Sequence, residues 1–308
     1  MTDGTDDGGA GWFADVDPGD VDAAAAAIVD GQADDPADWP RLAVEAGFAD
    51  SVDEYYDLLH DATVAATRRE VREREGAADQ QLVHAVRAMD DCERVANELA
   101  ERVAEWAGST IEDAGVGVTY ARQLAEELDA GADTDVDADE GVDTDEGADA
   151  DADEAADTRD PVVSLARRVR DLDDEAAALR AHVERTAPEV APNLSALAGP
   201  VLAARLIGLA GGLAQLARKP SGTVQVLGAE EALFAHLRGR APSPKHGVIY
   251  THEAVRGTHP DQRGSAARAL AGKLAIAARV DHYSGELKPE LEADLQDRIE
   301  RIQARDAE

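Results

Sequence analysis

Arg238, Arg240, Lys245 and His246 fall within nine residues, with Pro242 and Pro244 between them. Guanidinium groups bridge phosphate oxygens, and flat Arg or His side chains stack on unpaired bases. The two prolines stiffen the segment, which lowers the ordering cost on binding. This pattern suits a nucleic-acid strand; the plain alternative is a solvated basic loop. Just upstream, Thr223-Val-Gln225-Val-Leu-Gly228 leads into Ala229–Leu237, a good helix sequence. Gly228 permits close backbone approach, and a helix start at Ala229 offers N–H groups to an anion. An ordinary turn before a helix is the alternative. Downstream, Arg263, Arg268, Lys273 and Arg279 supply a third set of cations. Arg279 and Asp281 also suit an internal ion pair, so structural and binding roles both stand open there.

Hydrolytic chemistry has one candidate. His252-Glu253-Ala-Val-Arg256 nearly spells the zinc-protease helix motif, but Arg256 stands where the second ligand belongs. That breaks the i, i+4 histidine pair. His259 lies beyond Gly257 and before Pro260, so a shared helix face with His252 is not expected. No phosphate-binding loop, dinucleotide fingerprint or Gly-x-Ser-x-Gly elbow occurs. An intrinsic active site, a bound metal and a cofactor are therefore not expected.

Charge gives the basic residues their weight. The 308-residue chain has a formal net charge of −35. Yet Gly199–Gly285 holds 11 Lys/Arg against five Asp/Glu, or +6, which puts −41 on the remainder. Local charge is what a phosphate meets. Of the 30 basic residues only four are Lys, at 219, 245, 273 and 288. Abundant acid, scarce Lys and few aromatics resemble a salt-adapted, halophilic proteome, in which surface charge maintains solubility. Most of the −35 is then habitat rather than function.

The elements that must position this island are helical. Leu82, Val86, Met89, Ala96, Leu99, Val103 and Trp106 recur at three- and four-residue steps. So do Val162, Leu165, Val169, Leu172, Ala176, Leu179 and Val183. Such a seam must face another helix. Two seams predict an antiparallel coiled-coil hairpin over residues 75–186, with two core helices of a bundle as the alternative. Leu82, Val86, Met89, Leu99, Val103, Leu165, Val169, Leu172 and Leu179 are the candidate dimerisation residues. Cys92 lies within the first seam and suits a small buried hydrophobe.

Asp133–Asp157 holds 13 acidic residues and no basic one. Self-repulsion and few large apolar groups predict a disordered insertion over 131–159. Asp135, Asp137, Asp139 and Glu146 resemble a calcium loop, but Glu140 occupies the position that needs glycine. A solvated acidic tract is the simpler reading. Residues 1–74 form a small N-terminal unit, either helical or α/β, with helices expected over Val21–Val29 and from Asp53 to Arg74. No run reaches the roughly 18 apolar residues of a membrane helix. Met1–Ala10 lacks a secretory pattern, and one cysteine excludes an internal disulfide, so a cytoplasmic protein is expected.

The run from Ala191, APNLSALAGPVLAARLIGLAGGLAQLARKPSGTVQVLGAEEALFAHLRGRAPSPKHGVIYTHEAVRG, followed by RGSAARALAGKLAIAARVDHYSG, resembles the Nop domain. QLVHAVRAMDDCERVANELAERVAEWAG, from Gln81, is similar to that family's first coiled-coil helix. Glu231 stands where the family commonly has Lys, and the N-terminal unit is shorter than the family's usual one. The resemblance implies a scaffold without chemistry of its own. The Nop domain would grip guide RNA of the box C/D type together with a kink-turn-binding, ribosomal-protein-like subunit. The coiled coil would pair two copies. The N-terminal unit would dock fibrillarin, the methyltransferase acting on ribose 2′-hydroxyls of rRNA, with tRNA as a further target.

The expected architecture is thus mainly α: a small N-terminal unit (1–74), an antiparallel coiled-coil hairpin (75–186), and an all-helical globular domain (187–308) ending in a Leu287–Gln303 helix. Two other readings compete. One is a coiled-coil interaction protein with no RNA role. The other is a metal hydrolase using His252, Glu253 and His259.

Overall fold

The computed structural model describes residues 11–31, 37–109, 111, 113–132 and 149–304, with side chains described outside 128–160. Among the described residues there is no β-strand. The chain forms two units, Met1–Ala77 and Ala78–Glu308.

The first unit contains α1 (Val21–Asp30), α2 (Trp39–Glu45) and α3 (Val52–Glu75). Each start has a local cause. The Asp20 carboxylate accepts the Ala23 N–H at 2.9 Å. Ser51 Oγ accepts from Glu54 N at 3.1 Å, and Glu54 reaches back to the Asp50 N–H at 2.6 Å, a variant of the capping box. Trp12, Phe13, Phe48 and Tyr55 make the core, with ring centroids 5.2–6.2 Å apart. The described part of this unit is helical, so the α/β alternative does not hold there.

The second unit opens with α4 (Ala78–Ala107), α5 (Gly117–Ala132) and α6 (Asp149–Val190). Val83 and Val86 share a cluster with Val183, while Val103 shares another with Val162 and Val169. The start of α4 therefore meets the end of α6, as the antiparallel hairpin requires. The far end holds a third helix, α5, which neither seam contains. In α5, Ala121, Leu124 and Ala125 are buried against α4 and α6. Their i, i+3, i+4 spacing is a helical apolar stripe, too short to stand out beside the acidic tract. The expected disordered stretch, 131–159, falls largely on 133–148, outside the described residues. The chain is helical up to Ala132 and from Asp149.

Short helices complete the unit: α7 (Pro192–Ala198), α8 (Pro200–Ala210), α9 (Leu213–Arg218), α10 (Ser221–Val226), α11 (Glu230–Leu237), a 3-10 turn (Val248–Thr251), α12 (Glu253–Arg256), α13 (Arg263–Tyr283) and α14 (Glu290–Gln303). Gly199, at φ +78°, joins α7 to α8 through a 118° bend that L side chains resist. No single described helix is long and apolar enough to cross a membrane. The centre is α13, against which α7, α9, α10, α12 and α14 pack. Seven of its alanines, with Leu270 and Leu274, are buried. Apolar residues on all sides mark a central helix, and alanine lets neighbours approach closely.

Helix α6 runs unbroken through the expected 186/187 boundary to Val190. The base of the hairpin shares one core with the C-terminal helices. Polar ties reinforce it. Asp79 accepts from Leu213 N at 2.9 Å, Arg87 donates to Gly208 O at 3.2 Å, and Arg205 Nε donates to both Asp90 oxygens at 3.1 Å.

Candidate nucleic-acid interface

The basic loop between α11 and the 3-10 turn is pinned at several points. Arg240 N donates to Ala235 O at 2.8 Å, and His236 Nδ1 lies 3.0 Å from Ala241 O. Gln225, on α10, donates through Nε2 to Lys245 O at 2.7 Å, and its own carbonyl accepts from Gly247 N at 2.9 Å. Val248 N closes onto Leu227 O at 2.7 Å. A Cβ on Gly247 would lie 1.9 Å from Leu227 O, so only glycine lets these backbones meet. Arg238, Arg240 and Lys245 are exposed. None of the three forms an ion pair with a described residue.

His246 stacks on Tyr250, with centroids 4.6 Å apart and planes 22° from parallel. Arg263 sits 5.5 Å over the Tyr250 ring. Its Nε donates to Thr258 O at 3.0 Å, which fixes the guanidinium. Burial first, then the Arg263 charge, lowers the His246 pKa from the usual imidazole value. The neutral imidazole is thereby favoured, a form suited to stacking and hydrogen bonding rather than to ion pairing. The structure thus brings together Gln225, Lys245, His246 and Arg263, with Tyr250 at their centre. Tyr250 was missed in the sequence, where it stands four residues past His246 in an apolar run.

Other expected contacts resolve differently. Gly228 N donates to Glu230 Oε1 at 2.9 Å, and Ala229 N donates to Val226 O at 3.0 Å. Glu230 and Glu231 occupy the first turn of α11. A carboxylate therefore sits where a free anion cradle was expected, and like charge disfavours phosphate there. Thr223 is exposed on α10. Lys273 is largely buried and pairs with Asp294 at 2.7 Å. Arg279 donates to the carbonyls of Ala217 and Lys219 at 3.2 and 3.3 Å, closing the end of α9. It does not pair with Asp281, which instead caps α7 through Asn193 and Leu194. Lys273 and Arg279 are thus engaged within the fold. Arg268 is exposed on α13.

The candidate dimerisation residues lie along the chain's own helix contacts. Leu82, Val86, Met89, Val103 and Val169 are at most 2% exposed inside their own chain. Leu99, Leu165, Leu172 and Leu179 are partly buried against the same clusters. Pairing of α4 with α5, α6 and α8 covers the five buried residues within one chain, and the other four keep part of their surface exposed.

The hydrolase constellation is likewise occupied. His252 Nε2 donates to Leu197 O at 2.9 Å, and Nδ1 accepts from Ala254 N at 3.1 Å, capping α12. Glu253 pairs with Arg256 at 2.9 Å. Neither imidazole nitrogen is left for a metal.

The family model described as "Nop: snoRNA binding domain, fibrillarin" matches residues 138–302. An uncharacterised NOP5 family protein of Methanocaldococcus jannaschii is 33% identical over 275 residues, covering 85% of this chain and 66% of that one. Nucleolar protein 58 of Schizosaccharomyces pombe is 32% identical over 218 residues, covering 67% and 43%. Nucleolar protein 56 of Dictyostelium discoideum is 42% identical over 123 residues, covering 40% and 23%. The crystal structure of a fibrillarin/NOP5P complex aligns with a TM-score of 0.46 at 22% identity, over 91% of each chain. The chain thus spans two thirds or less of the length of these curated relatives. Because the match to the family model takes in more than half of the 308 residues, and its sequence relatives carry the same family names, the protein belongs to the Nop family.

Proposed function

We propose that this protein is a non-catalytic scaffold of a box C/D guide-RNA particle. Its C-terminal helices bind guide RNA jointly with a kink-turn-binding, ribosomal-protein-like subunit. The chain then recruits fibrillarin, which methylates ribose 2′-hydroxyls of rRNA, with tRNA as a further target. The reading draws on the family, whose model is described as a snoRNA-binding domain and names fibrillarin.

One observation carries it. Arg238, Arg240 and Lys245 stand exposed on a pinned loop beside the His246–Tyr250–Arg263 stack, in a chain of net charge −35. A rigid loop loses little entropy on binding, and cations beside an aromatic stack suit an unpaired base and its phosphates. Counterion release contributes less in high salt, so shape, stacking and protein contacts must supply more of the affinity. That His252 and Glu253 are engaged in capping and ion pairing supports a role without catalysis. Two copies would pair through the outer face of the hairpin, since its seam is buried.

Reconstitution in concentrated potassium chloride tests the reading. The full chain should join a complex of guide RNA with its kink-binding protein, and fibrillarin should methylate target RNA only when the chain is present. A chain that ignores the RNA complex would sink it and favour an interaction protein without an RNA role.

A further inference from the structure

A second cationic surface lies where α13 meets α14. Ser265 and Arg268 of α13, with Arg298, Arg301 and Ile302 of α14, line a groove of about 480 Å³. The two helices run antiparallel. Lys273 faces Asp294 at 2.7 Å, and Thr258 Oγ1 accepts from Gln303 at 3.2 Å at the other end. Between these contacts, Arg268 faces Arg298 and Arg301 across the groove. Like charges meet where the neighbouring turn has a complementary ion pair. None of the three arginines forms an ion pair with a described residue. Arg301 Nε donates to the carbonyl of Asp297 at 2.9 Å, which orients its guanidinium. The carboxylate of Glu300 accepts from Gln296 at 2.9 Å, and neither Asp297 nor Glu300 lines the groove.

The groove is not isolated from the loop already described. A Cβ on Gly264 would lie 3.9 Å from Lys245 Cδ, so the Lys245 stem lies over Gly264. Arg268 follows one turn later on the same face of α13, since residues four apart are neighbours. Arg298 and Arg301 are likewise neighbours on α14. The cations thus extend from Lys245 past Gly264 to Arg268 and across to α14.

We propose that this α13–α14 groove binds the RNA phosphodiester backbone, continuing the strand path beyond the 238–247 loop. The proposal rests on the guide-RNA reading above and adds α14 to the RNA surface. Arginine suits the role because its planar fork meets phosphate oxygens in pairs. The volume far exceeds the roughly 30 Å³ of one water, so it has room for a phosphate group. A bridging phosphate would also relieve the repulsion among the three guanidinium groups.

The test measures binding of the full chain to a guide RNA carrying its kink-binding protein, across a potassium chloride series. Arg298→Gln with Arg301→Gln should weaken binding roughly tenfold and reduce the salt slope by about 2, one per lost phosphate contact. Thermal melting should be nearly unchanged, because both side chains are exposed. Lysine at both positions should restore the slope. Wild-type affinity and slope in the glutamine variant would overturn the proposal while leaving the loop reading intact. A wild-type chain that fails to bind would overturn both. Two further outcomes would also reject it. One is stabilisation by inorganic phosphate, lost in the variant, with RNA binding unchanged, which marks a small-anion site. The other is loss of fibrillarin recruitment alone, which marks a protein contact.

Discussion

Asp281 and Asn193, 88 residues apart, meet in the centre of the C-terminal helices. The Asp281 carboxylate accepts the Asn193 and Leu194 N–H groups at 2.9 Å each and Asn193 Nδ2 at 2.7 Å. Asn193 in turn donates to Glu286 O at 2.8 Å and accepts from Lys288 N at 2.7 Å. One buried carboxylate thus caps α7, and its partner fastens the turn that leads into α14. Replacing Asp281 with Ala should cost about 3 kcal/mol, because it leaves buried donors without partners. Denaturant unfolding in high salt reads this out, and an unchanged midpoint would refute the account.

Gly247→Ala should displace the basic loop. Its Cβ would lie 1.9 Å from the Leu227 carbonyl, closer than any relaxation of a side chain can repair. Limited proteolysis near Lys245 should accelerate, and binding to the RNA complex should weaken with little change in the rest of the fold. Gly222→Ala, at an open position on α10, is the matched control. Equal behaviour of the two variants would contradict the close-approach argument.

The His246 titration should reveal its surroundings. Burial and Arg263 lower its pKa, so the folded protein holds fewer protons at this site than the unfolded chain. Its contribution to stability is therefore fully present above the unfolded pKa near 6.5 and is lost as pH falls through the folded value. An NMR titration should give a midpoint below 6.5, rising in Arg263→Gln. A midpoint above 6.5 would show that the imidazole is not shielded as described.

Lys273→Met and Arg279→Gln should separate structural cations from binding ones. Both should leave the salt dependence of RNA-complex binding unchanged. Arg279→Gln should lower stability by about 1 kcal/mol, since it removes two bonds to carbonyls at the end of α9. By contrast, Arg240→Glu with Lys245→Glu should weaken assembly at least tenfold, with melting preserved. A reversed pattern would exchange the two assignments.

Met89→Ala should act on folding rather than on association. The side chain is 0% exposed between α4 and its neighbours, so truncation should cost about 2–5 kcal/mol. Sedimentation should show the same oligomeric state as the wild type wherever the variant is folded. A folded variant that dissociates would return the seam to an intermolecular role.

Much of the architecture was legible locally. The seams from Leu82 to Val103 and from Val162 to Val183 announced two long paired helices, because three- and four-residue apolar spacing has one compact solution. The helices over Val21–Val29 and from Asp53 to Arg74 were also legible, and the structure shows Asp20 and Ser51 capping them locally. The +6 island and the prolines around Arg240 marked a cationic loop. These features depend on neighbours in sequence or on summed charge. Partnerships at long range did not show there. Whether the seams would meet each other or a second copy depends on which apolar surface is nearer once the chain turns back, and the intrachain helix won. Lys273, Arg279 and Arg263 are all cations on one helix, yet Asp294, the end of α9 and Tyr250 assigned them different work. Nothing in the sequence around Arg298 and Arg301 sets them apart; only the packing of α14 against α13 brings them to Arg268. A side chain's role follows from the field and the unpaired groups it meets, and only the tertiary fold brings those within reach.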